Sequence, residues 1–292
     1  MMRAVTLGAT LGLLLGMAPR ASAQRSEWVE VESRSLLAGD RSAEDTRRDA
    51  LYGALAEAVR RVAGVTVQGS AVALRSDSAG RVVDHYVEAV RLDAAGRALE
   101  WQVLREGWRT TTARTIGTQV YYEMRLRVRV ERERGTADPE FAVSLTANAE
   151  RYLVRGTEPA ANDEVVLTVT SSVAATLTIV SIVDDSVFVL APNALMPEVR
   201  ATARFPHQVP DAILRGNGLR FRMSLPDGVS RRTELLAVVA TRRPVALPAR
   251  AGVGAARDTG VLTLAEFNGW LVGIPRDERA VAQVPVEVRR AR

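Results

Sequence analysis

Two histidines and no cysteine stand among the 292 residues, which narrows the chemistry the chain could carry. Histidine is the commonest metal ligand and the usual base near neutral pH. His85 lies in an amphipathic stretch beside Tyr86, and His207 in the loop Phe205-Pro206-His207. Partners for either are scarce, so both read as surface or partly buried side chains. No serine sits in a Gly-x-Ser-x-Gly elbow. No glycine-rich loop has phosphate-binding spacing, and a P-loop lysine cannot exist, because all 39 basic residues are arginine. Asp184-Asp185 could begin a Ca²⁺ site, but such a loop needs about six or more oxygen ligands. Two adjacent aspartates between strand-like runs read instead as the start of a turn. A carboxylate pair of the glycoside-hydrolase kind needs two acids facing one cleft within about 10 Å, a juxtaposition that only a structure can show. The chain therefore reads as non-enzymatic, with no cofactor and no metal site.

One set of side chains is a candidate for binding. In residues 118–132 (TQVYYEMRLRVRVER) Arg125, Arg127 and Arg129 alternate with apolar residues, and Tyr121 lies on their side. Three guanidinium groups on one sheet face could meet an anionic partner such as a glycan, a lipid head group or nucleic acid. The competing reading is a solvated face, with Glu100 and Glu106 on a neighbouring strand offering cross-strand ion pairs. Trp101, Trp108 and Trp270 read as core residues, since aromatics supply much of a small domain's apolar mass. The net charge of +5, which falls to +3 without residues 1–23, is weak evidence for nucleic acid, which calls for a concentrated basic patch.

The elements that must position these residues follow from periodicity. Residues 27–38 read as a strand, broken at Gly39-Asp40. Ser42 with Asp45 resembles a capping box, in which each side chain satisfies a free amide at a helix start. Leu51, Leu55, Ala58, Val59 and Val62 then fall on one helical face, and Gly64 is a natural stop. Residues 65–80 are a small-residue connector, and 81–93 fit helix or strand. Ala98–Trp108 reads as a strand. In 118–132, Val120, Tyr122, Met124, Leu126, Val128 and Val130 point to one side, which implies an antiparallel sheet with one covered and one wet face.

Residues 133–139 (ERGTADP) carry charge, Gly and Pro without periodicity and mark a domain boundary. Beyond it, strand-like runs recur at 141–147, 164–170, 175–183, 186–190, 219–225 and 234–240, separated by turn residues. Such punctuation suggests a β-sandwich. Residues 244–258 form a linker rich in Pro, Gly and Ala. Thr263 then caps a short helix with Leu264, Phe267, Leu271 and Val272 on its apolar side. Ile274-Pro275 ends it, and a last strand spans 282–289.

The start of the chain carries an export signal. Met1-Met2-Arg3 is a positive head, Ala4–Ala18 an apolar run, and Ala21-Ser22-Ala23 a small-x-small cleavage site. The run is too short for a comfortable transmembrane helix, which takes about 20 residues. Cleavage near Ala23 removes 23 of the 292 residues and two arginines, leaving 269 residues with a net charge of +3. The expected product is a free periplasmic protein that does not span the membrane.

Two resemblances accompany this layout. Tyr152, Gly156, Leu190-Ala191-Pro192-Asn193, Val209-Pro210, Leu225-Pro226-Asp227-Gly228 and the strand at Leu235–Ala240 occur in an order that resembles domain-of-unknown-function family 4384, a bacterial envelope-associated module. Leu264–Pro275 and Val284–Val288 look like the ending common in such proteins. Asp184-Asp185 departs from the Gly-containing turn usual there. The first half, with Val29–Leu37, Ala43–Ala63 before Gly64, Leu99–Trp108 and Val120–Val130, is similar to the N-terminal domain of flagellar assembly protein T and its small-lipoprotein relatives. The absence of cysteine departs from the lipoprotein members. Neither family brings a catalytic residue to these positions.

The sequence therefore predicts a signal peptide over 1–23, an α+β domain over 24–135, and an all-β sandwich-like domain over 139–292 with a short C-terminal helix and final strand. The function it predicts is a non-catalytic periplasmic scaffold or adaptor that binds another envelope protein. The alternative is a binding module for an anionic envelope component, a glycan or lipid head group, working through Arg125, Arg127, Arg129 and Tyr121.

Overall fold

The structure is a computed structural model and describes residues 26–37, 42–63, 95–113, 117–156, 158–248 and 260–291. The export segment 1–23, His85, the runs 65–80 and 81–93, and residues 249–258 of the linker lie outside the described residues. The described chain is mostly β, with few helices, several sheets and a short C-terminal helix.

The first elements are β1 (Ser26–Leu36), α1 (Ala43–Ala63), β2 (Gly96–Ala113) and β3 (Gly117–Arg132). The three strands form an antiparallel sheet in the order β1-β3-β2. The capping box at the start of α1 is present: Ser42 Oγ accepts from the Asp45 amide at 3.0 Å, and the Asp45 carboxylate accepts from the Ser42 amide at 3.4 Å. Met124, Leu126, Val128 and Val130 of β3 are fully buried beneath α1 and its neighbours, as strict alternation requires.

The chain continues through β4 (Val143–Ala147), β5 (Arg151–Val154), β6 (Glu164–Val165), β7 (Leu167–Ser171), β8 (Ala175–Val183) and β9 (Ser186–Ala191). Next come β10 (Arg200–Ala201), β11 (His207–Val209), the short helix α2 (Ala212–Gly216), β12 (Phe221–Arg222) and β13 (Arg231–Thr241). It closes with β14 (Val261–Thr263), α3 (Leu264–Gly273) and β15 (Arg279–Arg290). A seven-stranded sheet runs β14-β9-β8-β13-β15-β5, with β10 added beside β8; β4, β7 and β11 form a second sheet. Residues 219–225 alternate like a strand, yet the ladder is confined to Phe221–Arg222, because its partner β6 is itself two residues long.

The seven-stranded sheet is covered on both faces. Leu236, Val238 and Ala240 of β13 join a core with β4, β7 and β11, while Leu235, Ala237 and Val239 join the core that holds α1 and β3. A strand with two covered faces needs no polar alternation, hence the run Leu235-Leu236-Ala237-Val238-Val239-Ala240. One buried cluster thus includes α1, the first sheet, one face of the seven-stranded sheet, and Phe267 and Leu271 of α3.

Residues 133–139 are held tightly. The Glu133 carboxylate is fully buried among three arginines: Arg97 of β2 at 2.7 Å, Arg279 at the start of β15, and Arg276 at 3.8 Å. Arg279 also donates to the Leu271 and Ile274 carbonyls at the end of α3, where the helix dipole favours a cation. Burial, and then the neighbouring Arg97, pulls the Arg279 guanidinium down to about 10, which leaves it charged at neutral pH. Gly135 sits at φ +76°, a conformation that favours glycine, and a Cβ there would also displace the Asp277 carboxylate, 2.6 Å away.

Candidate functional site

The outer face of the first sheet carries the arginine row. Its strands pair in a register that sets carboxylates on both sides of β3. Arg125 meets Glu30 of β1 at 2.6 Å and Glu32 at 3.8 Å. Arg129 lies 3.6 Å from Glu100 of β2. Arg127 stacks over the Trp28 ring at 5.1 Å from its centroid. Tyr121 lies under the Arg34 guanidinium, 5.3 Å from its ring centroid. The four side chains thus share one face, and Arg125 and Arg129 are each met by a carboxylate.

Glu106 does not join them. A register shift at Val103/Arg105 inserts one extra residue, Leu104, and turns Glu106 to the helix side. There it accepts a two-pronged contact from Arg47 of α1, at 3.0 and 3.2 Å. The outer face gains Arg105 and Arg109 instead. These two, with Arg34 of β1, converge on Glu123 of β3; the Arg34 and Arg109 contacts are 3.1 and 3.7 Å. The arginines, the Arg105 hydrogen bond first, hold the Glu123 carboxyl below its ordinary range. Sequence reasoning missed this cluster because Arg105 and Arg109 reach the face only through the shift; its sole local signal is their spacing around Gly107.

Each edge of the sheet meets one side chain from a helix. Arg61 of α1 donates to the Glu30 carbonyl on the β1 edge at 2.8 Å. Asn268 of α3 donates from its buried Nδ2 to the Ala98 carbonyl of β2 at 3.0 Å. Past that point, no strand pairs with the outer side of β2 among the described residues. Val103, Leu104 and Trp108 are each more than two-fifths exposed there. This corrects the expectation that Trp108 is a core residue: it packs edge-on against Tyr122 at 5.0 Å, with its other flank open. Trp101 and Trp270 are partly buried against the core.

Elsewhere the acids serve structural ends. Asp184, at φ +51°, turns the β8–β9 hairpin and lies 3.5 Å from Arg48 of α1. Burial, then the charges of Asp184 and Glu266, pushes the Asp185 carboxyl up. Among the described residues, no group of three or more His, Asp or Glu side chains converges as metal ligands would. His207 lines a shallow cavity of about 300 Å³ with Met196, Val199 and Leu214. Two acids also line it: Glu198 is held by Arg200 at 2.7 Å, and Asp211 caps α2 by accepting from the Leu214 amide at 2.8 Å.

No helix among the described residues is long and apolar enough to cross a membrane. No protein-family model and no curated protein matches the chain.

Proposed function

We propose that this protein is a non-catalytic adaptor of the bacterial periplasm that binds another cell-envelope protein. The observation that carries the reading is the outer edge of β2, which leaves a row of backbone groups unpaired among the described residues beside Val103, Leu104 and Trp108. An open edge with half-exposed apolar side chains is a ready template for another chain. In this reading the second half is a sandwich-like body that holds the first sheet rigid. Residues 1–23 carry the chain out of the cytoplasm, and the resemblances to envelope modules agree with that destination.

The alternative, an anionic envelope component bound by Arg125, Arg127 and Arg129, has less support, because Glu30, Glu32 and Glu100 already offset two of the three charges. Crosslinking in intact cells followed by pulldown from the periplasmic fraction tests the adaptor reading. A specific protein partner is the expected result. Recovery of none, with the protein located in that fraction, overturns it.

A further inference from the structure

We infer that the β2 edge from Arg105 to Thr112 takes an extended acidic segment of a partner protein as a fourth strand. Its acidic side chains would lie on the Glu123 face and its apolar ones on the Trp108 face. The inference rests on the adaptor reading and names the chemistry of the partner.

The geometry selects this stretch of the edge. Asn268 closes the edge at Ala98, and register shifts interrupt the ladder at Ala98/Glu100 and Val103/Arg105. From Arg105 to Ala113 the pairing with β3 is regular, so among the described residues the outer side of β2 offers an uninterrupted set of donors and acceptors.

Charge selects the occupant. Glu123 is one carboxylate shared by three arginines, which leaves a local surplus of positive charge. Arg105 and Arg109 stand on the edge strand itself, on either side of Gly107, around whose Cα the space is open. Their side chains are 61% and 48% exposed and can swing to a new partner at little cost. Directly opposed residues of an added strand would lie about 5 Å away, within reach of both. On the opposite face Trp108, braced by Tyr122, presents apolar surface, flanked by Thr110 and by Glu106, whose carboxylate Arg47 already engages. A second copy fits poorly: symmetric antiparallel pairing about Gly107 sets Arg105 opposite Arg109, and like charges directly opposed are destabilising.

The test uses the full-length protein and two capped peptides, one alternating Glu with Val and the other Arg with Val. The Glu–Val peptide is expected to bind about tenfold or more tighter, the sum of a few cross-strand ion pairs. It should slow amide exchange in residues 105–112, and the double substitution Arg105→Gln/Arg109→Gln should abolish the preference while lowering the melting temperature only slightly, since the pairs it removes are exposed. Equal binding of the two peptides, or amides there already protected in the free protein, overturns the inference. So does tighter binding to phosphatidylglycerol vesicles or to an oligo-dT strand than to the Glu–Val peptide, since that assigns the guanidinium groups to a different class of partner. Photocrosslinkers at Thr111 and at Ile213 separate this failure from that of the adaptor reading. A partner captured from Ile213 alone leaves the adaptor and removes the edge; capture from neither removes both.

Discussion

Glu133 and Glu123 each gather three arginines, and the two clusters do opposite things. At Glu133 the carboxylate and two of its partners, Arg97 and Arg279, are almost wholly excluded from solvent. At Glu123 the carboxylate is partly open and the three guanidinium groups are about half exposed or more. A buried cluster cannot exchange partners, because any group left behind would be an uncompensated charge in a poor dielectric. An exposed cluster contributes little to stability and can trade one carboxylate for another. The same residue types thus lock one junction and leave the other available, and burial alone makes the difference.

That contrast can be broken at several points. The largest effect is expected at the buried cluster: Glu133→Gln should cost about 3–5 kcal/mol, read as a lowered urea midpoint, because three guanidinium groups lose their counter-charge. A cost near zero would mean that the arginines find other partners. Next is Asn268→Leu, which leaves the Ala98 carbonyl without its donor. It should cost about 1–3 kcal/mol and speed amide exchange at the start of β2, extending the open edge.

Smaller still is Glu123→Gln. The native carboxyl titrates lower than in the unfolded chain, so its pairing contributes stability above the ordinary carboxyl range and loses it as pH falls through the native value. The variant should therefore be slightly less stable at neutral pH, and the difference should vanish in acid. It should also bind the Glu–Val peptide more tightly, with a steeper dependence on salt. The smallest effect is expected for Arg125→Gln with Arg129→Gln, which should leave both melting temperature and peptide binding unchanged. A loss of binding there would move the site from the edge to the arginine row.

The sequence made some of this legible. Strict alternation in β3 identified its buried and exposed faces, and Thr263 and Ser42 marked two helix starts by short-range rules. Glu100 was within reach of the same logic, since β2 and β3 are neighbours in the chain. Glu30 and Glu32 were not, because no local pattern states the register of β1 against β3 across about 95 residues of intervening chain. Glu106 was misplaced by one inserted residue, since a bulge reverses every side chain beyond it. The surroundings of Glu133 were not legible either. Charge, Gly and Pro without periodicity over 133–139 mark a domain boundary, and the burial of Glu133 depends on Arg276 and Arg279, which the chain supplies far downstream.

That last dependence also bears on the order in which the molecule can form. Helix α3 seals the near end of β2, and Arg279 ties α3 to Glu133. The first sheet to be synthesised therefore waits for nearly the last residues before its core can close. A chain emerging N-terminus first would hold β1, α1, β2 and β3 incompletely buried until α3 and β15 follow, and folding governed by such distant contacts is slow. During that interval the first sheet is at its most exposed, and its surface arginines are what disfavour premature pairing with another copy.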